Sequence, residues 1–85
     1  MMAQLIKAAE LAEELSISRR KQISLSLKKR GVQVTGELLD ETGFVSHRYV
    51  DEIDWRHLDA TDVSILETQI RAIDRRLVEN WRADG

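Results

Sequence analysis

The 85-residue sequence contains no cysteine and no proline, four glycines, and only 5% aromatic residues. Without cysteine there is no disulfide staple, no thiolate chemistry and no cysteine-based zinc site. That composition suits a reducing compartment, and a cytoplasmic or nuclear location is expected. Without proline, and without glycine before Gly31, nothing bars helix over the first thirty residues. With so few aromatics, the core must be built from Leu, Ile, Val and Ala. No apolar run reaches the roughly 18–20 residues that span a bilayer. The N-terminus lacks the apolar core of a secretory signal. No membrane partner is expected.

Catalytic patterns are also missing. Ser24, Ser26, Ser46 and Ser64 have no glycine-rich elbow around them, and no glycine-rich phosphate loop is present. The nine acidic residues after position 50 read as spread along a helix, not paired in a pocket. His47 and His57 lie ten residues apart, which on one helix turns them about 80° away from each other. The reading is a non-enzymatic chain with no cofactor and no metal.

The charge is unevenly placed. Residues 1–35 carry seven basic and three acidic residues, and residues 36–85 carry six and twelve. The halves are +4 and −6, and the net charge is −2. Such a split favours antiparallel self-packing or offers two surfaces to partners.

Apolar periodicity suggests two helices. Leu5, Ala8, Ala12, Leu15, Ile23 and Leu27 recur mostly at spacings of three and four. Gly31 after Lys28-Lys29-Arg30 reads as a helix stop. Tyr49, Ile53, Ala60, Val63, Leu66, Ile70, Ile73, Leu77 and Trp81 form a second stripe. A helix carrying it would be about 48 Å long, with a restart at Asp59 or Thr61 as an alternative. The expectation is an all-α, coiled-coil-like antiparallel hairpin in a single domain. Its helices run over about 3–30 and 48–82, joined at 31–47 by an ordered loop in preference to a short β-hairpin. Trp81 would cover the open end near Leu5, and Trp55 would either pack beneath the loop or anchor an interface. Leu38, Leu39, Phe44 and Val45 either pack under the helix pair or rim a binding patch.

The connection GVQVTGELLDETGF resembles the linker of a known helical domain. Gly31-Val32, Leu38-Leu39-Asp40 and Gly43-Phe44 fall in the register of the N-terminal domain of the PDZ-containing assembly chaperones of the proteasome regulatory particle. Arg48, Val50 and Asp51 match after a small insertion. The likeness spans roughly residues 20–80, and its specific part is about fourteen residues. The proline that follows Gly-Phe in the family is absent, and no PDZ domain lies within these 85 residues. The resemblance implies a helical hairpin that binds an AAA ATPase subunit of the proteasome base and delays its assembly. It implies a protein-binding surface of Leu39, Asp40, Phe44, Arg48, Tyr49 and Trp55.

Two further readings stand beside it. LAEELSISRRKQISLSLKKRG resembles a helix-turn-helix, with Ser18 capping a recognition helix and residues 32–50 as a wing. Arg19, Arg20, Lys21, Lys28, Lys29 and Arg30 would then contact nucleic acid. Alternatively, an open helix pair completes its core as a homodimeric four-helix bundle.

Overall fold

The computed structural model describes residues 2–16, 19–59 and 64–84. Its elements are α1 (Met2–Leu15), β1 (Lys21–Leu27), β2 (Gly31–Leu39), β3 (Val45–Asp54), α2 (Trp55–Asp59) and α3 (Ser64–Asp84). The strands form one antiparallel sheet in the order β1-β2-β3. The all-α hairpin is therefore overturned: the chain is α+β. Where one helix was expected over about 3–30, helix ends at Leu15 and strand begins at Lys21. The expected connection at 31–47 is β2, a turn and the start of β3. The expected helix over about 48–82 is strand as far as Asp54, then α2 and α3.

The physical reason lies in the spacing of apolar residues. Ile23 and Leu27 are four apart, a step that keeps a residue on one face of a helix and equally of a strand. The intervening Leu25, flanked by Ser24 and Ser26, fits period two alone. In β2, Val32, Val34, Gly36 and Leu38 are buried and alternate with half-buried Gln33, Thr35 and Glu37. The register places Ile23 opposite Gly36, Leu25 opposite Val34, and Val32 opposite Ile53. These residues make the inner face.

Both long helices cover that face, α1 beside β1 and α3 across β2. Leu66, Ile70, Ile73 and Leu77 of α3 and Ala8, Leu11 and Ala12 of α1 join Val32, Val34 and Leu38 in one core. For these helices the three-and-four spacing was a true helical signal. A Cβ at Gly36 would overlap Ile73 Cγ2 and lie 3.1 Å from Leu77 Cδ1. Glycine there lets α3 settle against the central strand. Among the described residues no helix covers the outer face, which presents Gln22, Ser24, Ser26, Gln33, Thr35, Glu37, Arg48, Val50 and Glu52.

Trp81 is half-buried, with the Arg20 guanidinium 5.2 Å from its ring centre. The proposed helix cap at Ser18 and the restart at Thr61 lie outside the described residues.

Candidate functional site

The residues singled out from sequence divide between two ends of the sheet. At one end is the β2–β3 turn. Asp40 Oδ1 accepts from the Thr42 hydroxyl at 2.6 Å, the Thr42 N–H at 2.9 Å and the Phe44 N–H at 3.0 Å. The Asp40 N–H donates to Phe44 O at 2.8 Å, and the Gly43 N–H donates to Asp40 O at 3.0 Å. Gly43 has φ of 93°, a conformation that costs glycine nothing and other residues a steric penalty. The Thr42 hydroxyl, then the Phe44 N–H, hold the Asp40 carboxyl below its ordinary value of 3.8. This closed turn leaves the Phe44 ring 73% exposed and Val45 48% exposed. Burial of these two beneath a helix pair is not what the structure shows, whereas Leu38 beside them is fully buried.

A cleft of about 470 Å³ lies next to the turn, lined by Arg19, Arg20, Gln22 and residues 39–43. Arg20 Nε donates to Leu39 O at 3.0 Å, and the Leu39 N–H donates to Arg20 O at 2.7 Å. The cleft therefore joins two sets that sequence reasoning kept apart: Leu39 and Asp40 on one side, Arg19 and Arg20 on the other. Arg19 is exposed, whereas Arg20 is half-buried. Lys21 faces inward, and its ammonium lies 2.6 Å from Asp74 Oδ1 as an ion pair within the fold.

The opposite end of β1, about 20 Å away at strand rise, holds the Lys28-Lys29-Arg30 turn. All three are exposed. Half-buried Trp55 anchors them from both sides: its indole N–H donates to Lys28 O at 3.0 Å and its main-chain N–H to Arg30 O at 2.9 Å. Arg56, next to Trp55, is paired with Asp54 at 3.2 Å. The Arg56 N–H, then its guanidinium, hold the Asp54 carboxyl below 3.8. The six basic residues thus do not share one helix face, since the supposed recognition helix is strand β1.

The middle of β3 holds the remaining two. Arg48 is on the outer face, 3.8 Å from Glu37. Tyr49 is on the inner face, where its hydroxyl accepts from Asn80 and Arg76 lies 5.5 Å over its ring. Asp51 likewise accepts from Gln69 of α3. Leu39, Asp40 and Phe44 therefore converge, while Arg48, Tyr49 and Trp55 are strung along β3 toward the other end.

What sequence reasoning missed is Ser16. Its Oγ accepts from the Ile23 N–H at 2.8 Å and donates to Ala12 O at 2.7 Å. No local pattern announces a serine whose partner is a strand edge seven residues on. Among the described residues no group of three or more His, Asp or Glu could hold a metal ion. Comparison of the chain with protein-family models, with curated proteins and with solved structures finds no match.

Proposed function

We propose that this chain is a non-enzymatic protein-binding module whose contact site is the β2–β3 turn and the cleft beside it. One observation carries the reading: an aromatic ring, Phe44, is held in solvent by a turn that Asp40 closes with side-chain and main-chain bonds. An exposed ring on a rigid support loses little entropy on binding, and aromatic anchors dominate interface energies. Arg19, exposed on a cleft wall that Asp40 and Glu41 also line, offers a guanidinium to a partner's carboxylate.

The narrower form, an assembly chaperone of a proteasomal ATPase subunit, draws its support from the residue match over 31–44. The helical hairpin of that family does not support it, because this chain does not form one. Affinity purification of the tagged chain with nuclease present tests both forms. The expected result is a protein partner lost on Phe44→Ala, with folding stability changed by no more than about 0.5 kcal/mol. A partner that Phe44→Ala leaves bound refutes the site. A partner other than a proteasomal ATPase refutes the narrower form alone.

A second reading has its own observation, the three exposed cations of the Lys28–Arg30 turn held by Trp55. They suit a polyanion backbone. Binding to duplex nucleic acid that falls steeply with salt, and is lost on replacing all three with Ala, would favour it over the Phe44 site.

A further inference from the structure

We propose that β3 is a self-complementary edge, pairing antiparallel with β3 of a second copy of this chain about a two-fold axis at Val50. The two edges of the sheet are treated differently. The pairing of β1 with β2 leaves the N–H and C=O of Ile23 pointing outward; the N–H donates to Ser16 Oγ at 2.8 Å, and the single Ser16 hydroxyl proton is shared between Ala12 O at 2.7 Å and Ile23 O at 3.2 Å. At Ile23 a side chain guards that edge, one of the ways proteins protect strand edges.

Among the described residues the β3 edge has no such guard. The Trp55 N–H donates to Arg30 O within the β2–β3 register. Odd-numbered residues of β3 therefore bond to β2, and even-numbered ones direct their main-chain groups outward. Among the described residues, nothing bonds the outward N–H and C=O of Arg48, Val50 and Glu52. β3 is ten residues long and contains no proline. Its one irregularity lies at the far end, where the register shifts opposite Leu38 and Leu39. The helix contacts to Tyr49 and Asp51 are on the inner face and leave the edge open.

Side chains select the partner and the register. With Val50 opposite its own copy, Arg48 faces Glu52 of the second copy twice by symmetry, and Val50, 46% exposed, meets itself between them. Three pairs with facing main-chain groups give about six hydrogen bonds. Sliding until Arg48 or Glu52 meets itself stacks like charges. Centring on Tyr49 sets Arg48 against Val50. A slip by one residue faces an outward N–H with one already bonded to β2. The favoured register yields a six-stranded sheet with the helices of both copies on one face.

Sedimentation velocity of the full chain over a concentration series tests this. The expected result is a reversible dimer. Val50→Pro should be monomeric at every concentration, because its N–H faces solvent in the monomer and its loss spares the β2 ladder. Glu52→Arg places like charges opposite each other twice and should raise the dissociation constant roughly tenfold. The Arg48→Glu/Glu52→Arg double variant restores both pairs, and its dissociation constant should return to within about threefold of the original. A wild-type chain that stays monomeric, or a dimer that survives Val50→Pro, overturns the proposal. Should Val50→Pro unfold, the charge swap decides: failure of the double variant to restore dimerisation overturns it.

Discussion

Gly36 gives the sharpest test of how α3 lies on the sheet. An alanine Cβ there would overlap Ile73 Cγ2 and crowd Leu77 Cδ1 at 3.1 Å. The overlapped atom belongs to a β-branched side chain with one strongly preferred rotamer in a helix. Relief therefore requires α3 to shift rather than a side chain to swing. Overpacking of this kind costs about 1–3 kcal/mol. Ile73→Ala alone removes a side chain that is 1% exposed and should cost about 2–5 kcal/mol. Together the two changes should cost less than their sum, because the truncation deletes the atom that the new methyl strikes. We expect a coupling of about 1–2 kcal/mol in a double-mutant cycle measured by urea unfolding. Additive costs, or a neutral Gly36→Ala, would show that Ile73 does not lie over Gly36.

Ser16→Ala should lower stability by about 1–2 kcal/mol, since it strips the Ile23 N–H of its partner at a half-buried edge. For a domain of this size that is a fall in melting temperature of about 4–8 °C per kcal/mol, read by calorimetry. The Asp40 turn should respond to acid. Its folded carboxyl titrates below the unfolded value of 3.8, so its stabilising bonds are present above that pH and vanish as pH falls through the lower folded value. Carboxyl NMR titration should place Asp40 below 3.8, and the Phe44 amide shift should follow the same curve. Asp40→Ala should abolish that response and weaken partner binding as the turn loosens.

Parts of this architecture were legible in the sequence. Leu66, Ile70, Ile73 and Leu77 step by three and four, and α3 buries all of them. Ala8 and Ala12 mark α1 in the same way. The middle of the chain misled because Ile23–Leu27 and Tyr49–Ile53 are spaced by four, which satisfies helix and strand alike. Leu25 between serines, and Val32 and Val34 between polar residues, carried the strand signal. Lys28-Lys29-Arg30-Gly31, read as a helix end, is a tight turn in which the Lys28 N–H donates to Gly31 O at 2.7 Å. At the candidate site, Leu39, Asp40 and Phe44 stood out through the family resemblance. The union of Leu39 and Asp40 with Arg19 and Arg20 did not, because it depends on β1 returning beside β2. The open β3 edge was hidden for the same reason: without strands there is no register to compare.

The most direct measurement is amide hydrogen exchange along β3, residue by residue, at low and high protein concentration. Alternation is expected at low concentration. Amides of Tyr49, Asp51 and Ile53 should be protected by β2, and those of Arg48, Val50 and Glu52 should exchange fast. Raising the concentration should protect the second set selectively. Uniform protection from Arg48 to Ile53 at low concentration would contradict the sheet. Alternation unmoved by concentration would keep the sheet and contradict the dimer edge.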